Sequence, residues 1–166
     1  MKEESLFGRL LIYLMTIFFV ITNLLYFRFA DFLQIVPMID LMAVFYFSIY
    51  RQIFPIWFLF LIGLWNDSIT NNILGVTSFL NIFLVKFFLI LNERLIIRDN
   101  FVHIWYQFAI FSILFLLIKW FILSSFYGDF FSILWPITNW FISVIFYFIM
   151  HRFFDYVSFK VLRNFN

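Results

Sequence analysis

The chain lacks cysteine altogether, which excludes disulfides, thiolate metal sites and cysteine nucleophiles. Charge is almost as scarce: Asp, Glu, Lys and Arg make up 12% of the 166 residues, against about 25% in an ordinary soluble domain. With so little polar surface the chain cannot clothe a water-soluble globule. The net charge of +2 is too small, and its carriers too scattered, to argue for nucleic acid. Glycine-rich phosphate loops, His/Glu metal motifs and nucleophile elbows are also missing, so no reaction is specified. The two histidines, His103 and His151, lie far apart with no third ligand beside them, so neither a metal nor another cofactor is expected.

What the sequence does contain is apolar: 66% hydrophobic residues, 27% aromatic, and a mean hydropathy of +1.04. This is the composition of an integral membrane protein, long enough for one domain of several spans at about 20 residues each. Six apolar runs follow one another, near 10–27, 32–50, 53–65, 73–91, 102–123 and 134–151. The first begins after a short charged segment, 1–9, and ends without a small-residue cleavage site, so it reads as an uncleaved helix. Pro37 and Pro136 fall in the first turns of the second and sixth runs, where a missing N–H matters least. The expected fold is an all-α bundle of six transmembrane helices spanning 1–166.

Orientation follows from the basic residues. With the N-terminus in the cytoplasm, Lys2, Arg9, Arg51, Arg94, Arg98, Arg152, Lys160 and Arg163 all fall on the cytoplasmic side. Only Arg28 falls outside, while Lys86 and Lys119 lie within runs. Both termini, including the tail 152–166, are therefore expected in the cytoplasm.

The most polar passage in the oily middle is the turn at 63–75, which holds two of the four glycines. Gly63 and Asp67 share a helix face, and the stretch from Asp67 to Asn72 carries side chains that bond their own backbone and stop a helix. Gly75 supplies the freedom to restart one. From the residues alone this is a helix reversal with an Asp/Asn cap. Inside the spans, rise per residue puts Asp40 roughly 16 Å and Lys86 roughly 12 Å from the cytoplasmic boundary. Opposite charges at similar depth are expected to pair; the alternative is a snorkelling Lys86 and a protonated Asp40. Asp67 and Lys119, both near the outer boundary, form a second and weaker candidate pair.

Taken in order, Pro37, Tyr46-Phe47, Pro55, Gly63-x-x-x-Asp67, Leu74-Gly75, Arg94 and Trp105-Tyr106-Gln107 resemble the rod shape-determining MreD family, and Trp135-Pro136 opens the last run in a similar way. The resemblance covers roughly 37–107 and the flanks by topology alone; Asn71-Asn72 stands where the family often has Gly or Ser. It implies a non-enzymatic component of the cell-elongation complex, with an MreC-like protein as partner and MreB, RodA and a penicillin-binding protein in the same machinery. It also implies that Gly63, Asn66, Asp67, Leu74 and Gly75 form a periplasmic structural or partner-binding motif. The rival reading is the substrate-capturing subunit of an energy-coupling-factor vitamin transporter, a six-helix fold to which MreD-like proteins are similar. That role needs polar groups converging on a solvated pocket, and Asn66, Asp67, Asn71, Asn72, Lys119 and Asn139 are the few candidates.

Overall fold

The computed structural model describes residues 6–22, 28–29, 33–34, 37–94, 101–128 and 132–164. Six α-helices follow in order: α1 (Leu6–Thr22), α2 (Ile39–Phe45), α3 (Ile56–Ile69), α4 (Val76–Arg94), α5 (Phe101–Tyr127) and α6 (Leu134–Asn164). A π-helical segment, Tyr46–Tyr50, continues α2. Two residues at β1 (Arg28–Phe29) pair antiparallel with two at β2 (Leu33–Gln34), Arg28 opposite Gln34. Lys2, Glu3, Glu4, Asp31, Arg98, Asp99 and Asp129 lie outside the described residues.

Among the described residues, two helices are long and apolar enough to cross a membrane: Phe101–Tyr127 and Leu134–Lys160, each 27 residues. At about 1.5 Å per residue each reaches roughly 40 Å, more than the ~30 Å hydrocarbon core of a bilayer. Gly8–Thr22, Ile39–Tyr50, Ile56–Ile69 and Val76–Leu91 are apolar but shorter.

The second apolar run is not helical from its start. The helix begins at Ile39, two residues after Pro37, with Met38 in the N-cap position. Its entry is fixed from across the bundle, where the Met38 N–H donates to Ser143 Oγ on α6 at 3.1 Å. Residues 40–49 are all buried, so α2 and its π segment form the centre around which the other helices pack. The π turn closes with the Arg51 N–H on the Tyr46 carbonyl at 3.0 Å, and the chain leaves it through Gln52 in a left-handed conformation (φ 55°). The last helix also differs from expectation: it does not stop at His151-Arg152 but carries the amphipathic tail on to Asn164.

Close packing and inter-helix hydrogen bonds hold the helices together. Both are visible here. Phe45 of α2 packs edge-on or tilted against Phe108 and Phe111 of α5 and Tyr147 of α6, and Phe108 stacks on Tyr147 with ring centres 4.0 Å apart. Two tryptophans tie α5 to α6: Trp105 Nε1 donates to the Val144 carbonyl at 3.0 Å, and Trp140 Nε1 to the Ala109 carbonyl at 2.9 Å. The outward faces are apolar, with Phe121, Phe141, Ile145 and Ile149 all well exposed.

Candidate functional site

The polar turn at 63–75 and the helices on either side of it build one buried cluster. It begins with a close approach. A Cβ on Gly63 would meet the Cα of Ser78 and lie 2.5 Å from its backbone nitrogen, so only glycine lets α3 and α4 cross at this distance. Ser78 Oγ uses that proximity to donate to the Phe60 carbonyl at 2.8 Å.

One turn beyond Gly63 lies Asp67, and α3 ends at Ile69, within the Asp67–Asn72 stretch expected to stop it. The reversal comes at Asn71, which takes the left-handed conformation (φ 56°) that Asn tolerates better than most residues. Gly75 follows at φ 96°. Asp67 instead reaches across the turn. Its Oδ2 accepts the Gly75 N–H at 2.9 Å and the Thr77 N–H at 3.0 Å, so one carboxylate from α3 caps the N-terminus of α4. Leu74, beside Gly75, is 66% exposed and takes no part in the cluster.

Thr77 links this cap to α5, because Lys119 Nζ donates to Thr77 Oγ1 at 3.0 Å. Asp67 is the carboxylate whose charge acts most strongly on that ammonium, followed by Asp40. Asp40, in the first turn of α2, accepts a hydrogen bond from Asn66 Nδ2 at 2.8 Å. Asp40, Asn66, Asp67, Thr77 and Lys119 are each at most 6% exposed. Four helices thus contribute two acids, one lysine and two neutral groups to two adjoining, enclosed sets of bonds, Asp40–Asn66 and Asp67–Thr77–Lys119. Their members are engaged with one another, which is what a buried charge requires.

The expected Asp40–Lys86 pair is not formed. Asp40 lies against Asn66, while Lys86 is exposed on the outer face of α4 beside Phe79, Phe83, Phe87 and Ile90. Rise along a helix fixes depth but not the face on which a residue stands. The face was nonetheless readable: Thr77, Asn81, Leu84 and Phe88 are spaced three or four apart and buried, and Lys86 is out of phase with them. Asp67 and Lys119 do converge, through Thr77.

A second polar cluster closes the opposite end of α2. Asp155 on α6 accepts from Tyr46 Oη and pairs with Arg51 Nη2 and His151 Nε2, each at 3.3 Å. Arg51 Nε donates to Tyr46 Oη at 3.1 Å, and His151 Nδ1 meets Tyr147 Oη at 3.3 Å. The sequence signal for it was the i, i+4, i+8 spacing of Tyr147, His151 and Asp155, which puts three polar groups on one face of α6. His103 is engaged on its own helix with Gln107, at 3.0 Å. Among the described residues no three His, Cys, Asp or Glu side chains are placed to hold a metal ion.

No protein-family model matches this chain, and no curated protein or solved structure matches it either.

Proposed function

We propose that this protein is a non-enzymatic, six-span component of a bacterial inner membrane, with both termini in the cytoplasm, and that it serves the cell-elongation complex by binding an MreC-like partner. The observation that carries the non-transporting, non-catalytic part of this reading is the state of the polar network. Asp40, Asn66, Asp67, Thr77 and Lys119 are buried against one another and bond each other or the α4 backbone. A substrate-capturing transporter subunit would hold such groups open toward a solvated chamber. Here they brace the ends of four helices around the 63–75 turn.

The membrane part rests on the two helices long enough to span, on four shorter apolar helices, and on the outward-facing aromatic and aliphatic side chains. The elongation-complex part rests on the ordered set Pro37, Gly63-x-x-x-Asp67 and Leu74-Gly75 and its likeness to MreD-like proteins. Depletion in the native host tests it: cells should round up, and the tagged protein should co-purify in mild detergent with an MreC-like protein. Cells that keep their shape, or purified protein carrying a bound vitamin, would refute it.

A further inference from the structure

Lys86 stands in a place that apolar surface alone does not explain. It is exposed on α4, eight residues before Arg94 and ten after Val76, hence roughly 12 Å and 15 Å from the two ends. In a hydrocarbon core of about 30 Å that is close to the midplane. Lysines that reach water by snorkelling stand near helix ends, and this one does not. No described residue offers its ammonium a hydrogen bond or an ion pair; the nearby side chains are apolar.

The surface around it has a definite form. Phe79, Phe83 and Phe87 make one ridge at i, i+4 spacing, with Phe79 and Phe83 stacked; Ile82, Lys86 and Ile90 make the next. Between them runs a groove of about 360 Å³. Parallel ridges at this spacing are the relief into which a second helix sets its own side chains. We infer that this groove is the docking site for a transmembrane helix of a different membrane protein, one that carries an Asp or Glu at mid-bilayer depth to meet Lys86.

The occupant is argued from charge. A lipid phosphate sits at the headgroup level, a dozen ångströms or so away by the same rise along the helix. A second copy of this chain fails twice. A two-fold contact through the groove would set Lys86 against its own image, and among the described residues Asp40 and Asp67 are buried while Asp155, near the far end of α6, is taken by Tyr46, Arg51 and His151. A foreign helix with one carboxylate satisfies the ammonium where water cannot. The inference rests on the reading of this chain as a membrane-embedded binding partner, but not on that partner being MreC-like.

The test uses the full-length protein in phosphatidylcholine vesicles with synthetic leucine-rich helices of about 20 residues, binding being read by energy transfer. One helix bears a single central Glu, one a Gln, one a Lys and one none. The Glu helix should bind wild type at least about tenfold more tightly than the uncharged helix. Lys86→Met should erase that preference, and Lys86→Glu should transfer it to the Lys helix. Both variants should keep the wild-type unfolding midpoint, since the side chain is exposed. Equal binding of the Glu and uncharged helices, or an undiminished preference in Lys86→Met, overturns the inference. So does loss of the preference when phosphatidylglycerol is added, which would make the groove a lipid site, or energy transfer between copies of the chain alone. Failure here is separable from failure of the proposed function. A protein needed for rod shape that ignores the Glu refutes only the groove, and one that selects the Glu in cells whose shape never depends on it refutes only the elongation role.

Discussion

Gly63→Ala isolates the contact on which the α3–α4 crossing depends. The new methyl group would lie 2.5 Å from Ser78 N and 2.6 Å from Ser78 Oγ, where ordinary contact begins at 3.4 Å. Relief therefore requires the two helices to part by about 1 Å, and a gap of that size forfeits a quarter to a half of the dispersion attraction along the seam. Overpacking of this kind costs about 1–3 kcal/mol. The Ser78 Oγ to Phe60 carbonyl bond, 2.8 Å in the wild type, stretches beyond hydrogen-bonding range and removes roughly 0.6 kcal/mol more. Against this, Ala is the better helix former by about 1 kcal/mol. The net loss is about 2 kcal/mol, a fall of roughly 4–8 °C in the unfolding midpoint for a chain of this size. Circular dichroism of the protein in detergent measures it. A control sharpens the case: Ser78→Gly removes Oγ but leaves Cα and N in place, so the double variant should recover little. A neutral or stabilising Gly63→Ala, or full rescue by Ser78→Gly, would show that the backbones do not meet as described.

Asp67→Asn should lower stability by roughly 1–3 kcal/mol, since it weakens the cap on α4 and takes from Lys119 its stronger counter-charge. Adding Lys119→Met should recover at least about 0.5 kcal/mol of that loss; strictly additive effects in the unfolding curves would mean the two residues do not communicate through Thr77. Gly75→Ala should cost about 1–2 kcal/mol through backbone strain alone, because φ is 96° with open space around the position, and Gly75→Asn should cost less. Asp155→Asn should cost no more than about 1 kcal/mol, its carboxylate being 43% exposed, and the loss should shrink in high salt.

The apolar runs announced the helices, and the Asp/Asn-rich passage between two glycines announced the reversal at 63–75, down to an asparagine able to hold the left-handed position. The helix ends were less legible. Asp67 looked like a stop signal because Asp commonly bonds its own neighbourhood, yet it serves the helix that follows, and nothing local distinguishes a carboxylate that caps backward from one that caps across a turn. The start of α2 was misplaced because hydropathy runs smoothly through Pro37. Asp40 was paired with Lys86 because depth was weighed without helical phase; the phase of Thr77, Asn81, Leu84 and Phe88 would have set Lys86 aside. The Asp155 cluster was missed for another reason. Its members Tyr46 and Arg51 come together only through a π turn, a backbone feature that the side-chain pattern does not encode.

The burial of α2 bears on how the protein is made. Seven α-helical and five π-helical residues with a carboxylate in the first turn are a poor signal for entry into a bilayer, Asp opposing insertion by up to about 3 kcal/mol. The groups that make this segment tolerable, Asn66, Lys119, Ser143 and Asp155, are all translated after it. On the proposed membrane reading, the second segment waits at the membrane border until its neighbours are delivered, and it is seated only as α6 closes over a centre that could not have been placed first.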